Sequence, residues 1–220
     1  MSVDQVPESL RGGGWRTSVQ LELTPILRAA LDAFNEHGFH GTTVRDIARR
    51  VGVTVPALYY HHANKEAILF ALQDASLDRL TSLCEAAVAD AGDDVVGRFL
   101  NLVEAIGLYM ANSTKLAALD AEIRSLTPEL RAVYSTKRRA LEQMLIGAVE
   151  EGRALDHFHI SSPTDTARAL FGMFQAIATW YHAGGQIKPA NLAARYVDIA
   201  AHAVGGSQTV LDRARGIATS

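Results

Sequence analysis

An all-α protein of about nine helices is what this 220-residue sequence predicts, and three observations carry the prediction. Apolar residues recur at three- and four-residue spacing along the chain from residue 24 onward, while Val, Ile and Thr nowhere alternate with polar residues over the length of a strand. Capping signals are dense: Thr24 before Pro25, Thr43 with Asp46, Thr54 with Pro56, and Asn64 each stand at the head of an apolar-periodic run. Forty-eight per cent of the residues are hydrophobic, which is ample for a buried core.

Residues 1–20 read as a flexible arm, poor in apolar periodicity and carrying Gly12-Gly13-Gly14. Arg11 and Arg16 lie on it; disorder is the expectation for both, with a minor groove as the alternative. The first helix opens at Thr24-Pro25, keeps Leu27, Ala30, Leu31 and Phe34 on one face, and stops at Gly38. Thr43 and Asp46 have the spacing of a capping box for a second helix, whose apolar face is Val44, Ile47, Ala48 and Val51. Gly52 supplies the left-handed residue of a tight turn. Thr54 then caps a short third helix that tolerates Pro56 in its first turn and turns Val55 and Leu58 inward. Asn64 caps a fourth, with Ile68, Leu72 and Ala75 on one side. Further helices are expected over about 65–91, 95–112, 115–125, 128–152, 163–183 and 189–205. Gly92-Asp93-Asp94, Pro128, Gly152 and Ser161-Ser162-Pro163 separate them. The organisation that follows is an arm (1–20), a three-helix helix-turn-helix domain (21–66), a helical bundle (67–206) and a C-terminal tail (207–220).

The formal net charge is -3, so the chain as a whole is no polycation. Residues 37–65 nevertheless hold four Lys/Arg against one acid, a local +3 that leaves about -6 for the remainder. Two short helices joined through Gly52, with the small Ala48 where they cross, have the spacing of a helix-turn-helix, and the second helix is then free to enter a major groove. Its exposed side carries Val55, Pro56, Ala57, Tyr59, Tyr60 and His61. Tyrosine hydroxyls donate to phosphate, and their rings pack on thymine methyls. Thr43 can offer a hydroxyl and an N–H to phosphate; Arg49 and Arg50 read as solvated surface.

The run from Gly38 to Leu72 resembles the DNA-binding head of the TetR/AcrR family of transcription regulators. Its marks are Gly38-Phe39, Gly41-Thr42-Thr43, Val44-Arg45-Asp46-Ile47-Ala48, Gly52-Val53-Thr54, Leu58-Tyr59, His61 and Lys65-Glu66. The resemblance implies operator contacts by Thr43, Arg45, Thr54, Pro56, Tyr59, Tyr60, His61 and Lys65. Two positions depart from the family pattern. His62 stands where Phe is usual, and Val55-Pro56 stand where small polar or basic residues are frequent.

Trp180-Tyr181-His182-Ala183-Gly184-Gly185, followed by Tyr196, resembles part of a TetR subgroup that responds to acyl-CoA thioesters in lipid catabolism. His182-Ala183 replaces the Arg-Pro-like pair of that subgroup. The last two expected helices are apolar on more than one face, as helices buried on more than one side are. Leu170, Ile177, Tyr181, Leu192, Tyr196 and Ile199 are the expected interface of a two-fold dimer. A ligand pocket is expected between bundle helices, from Phe99, Val103, Ile106, Tyr109, Met110, Met144, Phe171, Phe174, Gln175 and Trp180. The resemblance thus implies a cytoplasmic homodimeric repressor that leaves a double-stranded, palindromic operator when a small apolar or amphipathic effector binds; nothing in the sequence speaks against activation, and a helical binding protein without DNA readout is the alternative.

No nucleophile elbow, phosphate loop or HExxH occurs, so no enzyme, cofactor or metal is expected. His157 and His159 with Asp156 point to different sides of a helix, and Cys84 is the one cysteine. The N-terminus has no apolar core of a signal peptide. The uncharged stretch Ala169–Ile187 is interrupted by Gln175, His182 and two glycines, and reads as a buried helix rather than a membrane span.

Overall fold

The computed structural model describes residues 6–17, 20–182 and 184–219. Among the described residues ten α-helices follow one another: α1 (Pro25–Gly41), α2 (Val44–Val51), α3 (Val55–His61), α4 (Lys65–Asp90), α5 (Val95–Asn112), α6 (Thr114–Ala118), α7 (Pro128–Ala154), α8 (Pro163–Trp180), α9 (Pro189–Ala203) and α10 (Gln208–Thr219). Short 3-10 turns lie at Glu8–Leu10, Gly14–Arg16 and Leu119–Ser125. Among the described residues the only β pairing is an isolated bridge between Phe158 and Gly206. No helix among them is long and apolar enough to cross a membrane.

The chain divides into two compact units, a head (Leu21–Arg79 with Lys115–Arg138) and a bundle (Met1–Gln20, Leu80–Thr114 and Arg139–Ser220). The division differs from the sequence expectation of a head ending at residue 66. The head takes in the first half of α4, and it recruits Leu116, Leu119 and Leu126 from far along the chain into one core with Ala30, Phe34, Ile47, Leu58, Ile68 and Leu72. Each such Leu, Ile or Phe contributes about 1.5–3 kcal/mol by leaving water, so a short three-helix head gains stability from the added segment.

In the bundle, α5 is buried on almost every side, with α9 packed along it and α8 beside it. The close approach depends on Gly107: a Cβ there would lie 3.2 Å from the Ala193 Cα. Phe99 packs on Phe158 at 4.9 Å between ring centroids, and Phe174 stacks on Tyr196 at 5.6 Å. Cys84 is buried, and burial pushes its thiol up, which leaves it an unreactive thiol.

The two termini depart from expectation. Instead of a free arm, residues 6–16 pack on the bundle with Val6, Leu10 and Trp15 buried. The Trp15 indole N–H donates to Asp90 at 3.2 Å. Arg16 lies over the Trp15 ring and is held bidentately by Glu104. Residues 1–5, 18 and 19 of the expected arm lie outside the described residues. The expected C-terminal tail is α10, with Val210 and Ala214 buried four residues apart. Arg213 of α10 pairs with Asp94, the residue that caps α5 through the Gly97 N–H.

Candidate nucleic-acid interface

Local sequence chemistry sets the helix-turn-helix. Thr24 Oγ1 accepts the Leu27 N–H, Pro25 occupies the first turn of α1, and Gly38 at φ 72° breaks the helix. The Thr42 hydroxyl is buried 2.8 Å from the Gly38 carbonyl and 3.0 Å from that of Ala33, which fixes the turn into α2. The capping box is complete: Thr43 Oγ1 accepts the Asp46 N–H, and the Asp46 carboxylate accepts the Thr43 N–H. Those bonds, with Arg49 nearby, hold the Asp46 carboxyl below its ordinary range. Gly52 sits at φ 78°, where an L side chain is strained, and the Val53 N–H reaches back to the Ala48 carbonyl at 3.0 Å. Ile47, Ala48 and Leu58 are buried beneath the crossing. With that face covered, α3 presents its other face to solvent.

Thr54, Pro56, Tyr59, Tyr60 and His61 are all exposed, Tyr60 at 88% and Tyr59 at 48%. At that exposure the Tyr60 ring contributes little packing to the fold, which leaves its face and hydroxyl accessible to a partner. The Tyr60 and His61 rings meet edge to face at 5.4 Å, which holds both on the outer side. Arg45, on α2, is exposed as well.

Two expected contacts carry structural duties as well. Lys65 is half-buried, and its ammonium donates to the carbonyls of Phe39 at 2.7 Å and Thr42 at 2.8 Å, over the Phe39 ring. Of its three N–H groups one is left for a phosphate. The Thr43 hydroxyl donates to Asp46 at 2.6 Å, so its backbone and oxygen are committed to the cap. Arg50 is bound by Glu36, whose carboxyl is lowered by that pairing, and Arg49 by Asp46. His62 ends α3 half-buried; burial first, then the neighbouring His61, lowers its pKa.

Most of the expected ligand residues are packed into the bundle. Phe99, Val103, Ile106, Tyr109, Met110 and Phe174 are buried packing, Met144, Phe171 and Gln175 are half-buried, and Trp180 is 46% exposed. None borders the cavity of about 660 Å³ in this unit, which lies on another face of α5. Interface residues need a correction too. Leu170, Ile177, Tyr181, Leu192 and Tyr196 are covered within one chain, leaving Ile199 at 48% exposure. Since α8 and α9 are apolar on several sides, periodicity singled out the stripe that packs inward. The outward stripe is Ala169, Gly172, Ala176 and Trp180 on α8, with Ile199 and Ala203 on α9. Among the described residues no three His, Cys, Asp or Glu side chains are grouped to hold a metal ion.

Comparison with known proteins agrees with this architecture. Residues 26–72 match the family described as bacterial regulatory proteins, tetR family, and residues 92–204 match the tetracyclin repressor-like C-terminal domain. The HTH-type transcriptional regulator YdgC of Bacillus subtilis is 28% identical over 178 residues, 79% of this chain and 88% of that protein. The HTH-type transcriptional repressor KstR2 of Rhodococcus jostii is 26% identical over 178 residues, 80% of this chain and 87% of that one. A solved tetR-family regulatory protein from Rhodococcus RHA1 superposes with a TM-score of 0.76 at 26% identity, covering 84% of this chain and 97% of the other.

Proposed function

Because the chain belongs to the TetR family of bacterial regulatory proteins, we propose that it is a ligand-responsive repressor whose head reads an operator through α3. The observation that carries this reading is the exposed row Thr54, Pro56, Tyr59, Tyr60 and His61, on a helix whose opposite face is anchored by the fully buried Leu58. Tyrosine and threonine hydroxyls donate to phosphate oxygens, and the Pro56 ring and tyrosine faces suit thymine methyls. Arg45 and the remaining N–H of Lys65 add phosphate contacts.

Two copies associate through the outward faces of α8 and α9, where small residues and the exposed Trp180 and Ile199 form an apolar patch. That symmetry pairs two α3 helices for a palindromic operator. The effector is a small amphipathic molecule, with an acyl-CoA thioester as the first candidate on the Trp180-Tyr181 resemblance. It lowers operator affinity by favouring a conformation that binds DNA less well.

Fluorescence anisotropy against labelled DNA from the intergenic region beside its gene, at two salt concentrations, tests the reading. Tight, salt-sensitive and sequence-selective binding is expected, weakened roughly tenfold or more in Tyr60→Ala and relieved by an acyl-CoA. Binding that is weak, indifferent to sequence and unchanged in Tyr60→Ala refutes operator readout by α3.

A further inference from the structure

The cavity of about 660 Å³ in the bundle unit runs along one stripe of α5, from Gly97 through Leu100, Asn101 and Glu104 to Leu108. Arg16 of the N-terminal segment, Ala190 at the start of α9, and Arg213 and Gly216 of α10 complete its border. Its volume lies within the range of roughly 300–1,000 Å³ usual for small-molecule sites. Against α5 and α9, its remaining border comes from the two segments that the sequence left unstructured, the N-terminal turns and α10.

Its chemistry is divided. Leu100 and Leu108 border the cavity from the α5 side about 12 Å apart at 1.5 Å per residue, with the Glu104–Arg16 pair between them. Three charged groups border it, and two cancel. Glu104 takes both the Nε and Nη2 donors of Arg16, at 3.0 Å and 2.9 Å. Arg16 is further tied to Asn101 at 3.2 Å and lies over Trp15. This pair is locked and neutral. Arg213 is different. Its described partner is Asp94, which is not part of the cavity border and takes two of the five guanidinium N–H groups. The Arg213 side chain stays 42% exposed. It stands with Asp94 at the Gly97 end: a Cβ on Gly97 would lie 2.7 Å from Asp94 Oδ2 and 3.2 Å from Arg213 Nη2, so the absence of a side chain there leaves the ion pair room.

We propose that this cavity binds a small amphipathic carboxylate, its anionic end on Arg213 and its apolar body along Leu100 and Leu108. A guanidinium with spare donors suits a planar carboxylate. A hydrocarbon chain replaces water against the two leucines. The site is separate from the bundle-interior residues that the sequence singles out for a ligand. It stands whether or not α3 reads an operator, because its test contains no DNA.

Decanoate is titrated calorimetrically into the full chain, beside decyltrimethylammonium, which has the same tail and the opposite charge. Saturable binding of decanoate is expected, at least tenfold tighter than that of the cation. Arg213→Gln should weaken decanoate about tenfold, the loss of one charge-assisted pair. Gly216→Trp fills the cavity from α10, where an added Cβ meets nothing within 4 Å, and should weaken binding more than tenfold without harm to the fold. Gly147→Trp, an equally open position on α7 outside the cavity border, should leave affinity unchanged. No saturable decanoate binding, equal binding of the cation, or an unchanged affinity in Gly216→Trp would overturn the proposal.

Discussion

Replacing Trp15 by alanine should free the N-terminal segment from the bundle while leaving the rest of the fold standing. Trp15 is fully buried, donates to Asp90 at 3.2 Å and supports the Arg16 guanidinium 4.0 Å from its ring centroid. Truncating a buried tryptophan costs about 3–5 kcal/mol. The lost hydrogen bond adds about 1 kcal/mol, and the cation–π contact about 0.5–1 kcal/mol at a partly exposed site. Asp90 is exposed, so no buried partner is stranded. A conservative 4 kcal/mol raises the open population of the segment roughly a thousandfold, until it is open all the time. Arg11 and Arg16 are trypsin sites inside the segment, and cleavage follows the open population when opening is fast. Timed digestion should therefore release N-terminal fragments a hundred- to a thousandfold faster in Trp15→Ala. The melting temperature of the remaining helices should change little, because besides Trp15 the segment adds only Val6, Leu10 and the Arg16 pairing with Glu104 and Asn101 to the bundle. Cleavage within about threefold of the parent rate would show that the segment does not depend on its tryptophan, and the docking argued above would fall.

Lys65→Met should destabilise the head by about 1–3 kcal/mol, because the Phe39 and Thr42 carbonyls lose their shared donor; a denaturant midpoint unchanged within error would refute that dual role. His62 has a lowered pKa in the fold, so below the ordinary histidine value of about 6.5 the unfolded chain binds more protons and stability falls as pH drops. His62→Phe should remove that part of the decline, seen as a smaller loss of melting temperature between pH 7.5 and 5.5 than in the parent; parallel losses would contradict it. Gly52→Ala meets open space but forces an L side chain to φ 78°, and should cost about 1–2 kcal/mol in denaturant unfolding with an unchanged helix content by circular dichroism.

The helix-turn-helix was legible because its signals are local. Thr24, Thr43, Thr54 and Asn64 each cap the helix they announce, and Gly52 takes the left-handed conformation its position demands. Helix boundaries through α9 lie within a few residues of those expected, for the same reason. The termini were opaque because their anchors form no period: Val6, Leu10 and Trp15 are spaced irregularly around glycines, and a lone tryptophan in a polar segment was the available clue. In α10, Val210 and Ala214 show helical spacing over a single turn, too short to stand out. The inward and outward faces of α8 and α9 could not be told apart, since both are apolar and only tertiary packing against α5 selects one. A cavity bordered by Arg16, one stripe of α5 from Gly97 to Leu108, Ala190, Arg213 and Gly216 has no signature in sequence order.

The head's core draws on residues from both ends of a gap in the chain, Leu27 to Leu72 and then Leu116, Leu119 and Leu126. DNA specificity in this protein is therefore no detachable cassette. A graft of residues 21–66 into another regulator would arrive with its floor missing, exposing the apolar undersides of Phe34, Ile47 and Leu58. The piece that can be traded intact is a pair of segments, 21–79 and 115–138, and sequence drift in either must be matched by the other. Recombination that respects only the order of the chain would separate what the core has joined.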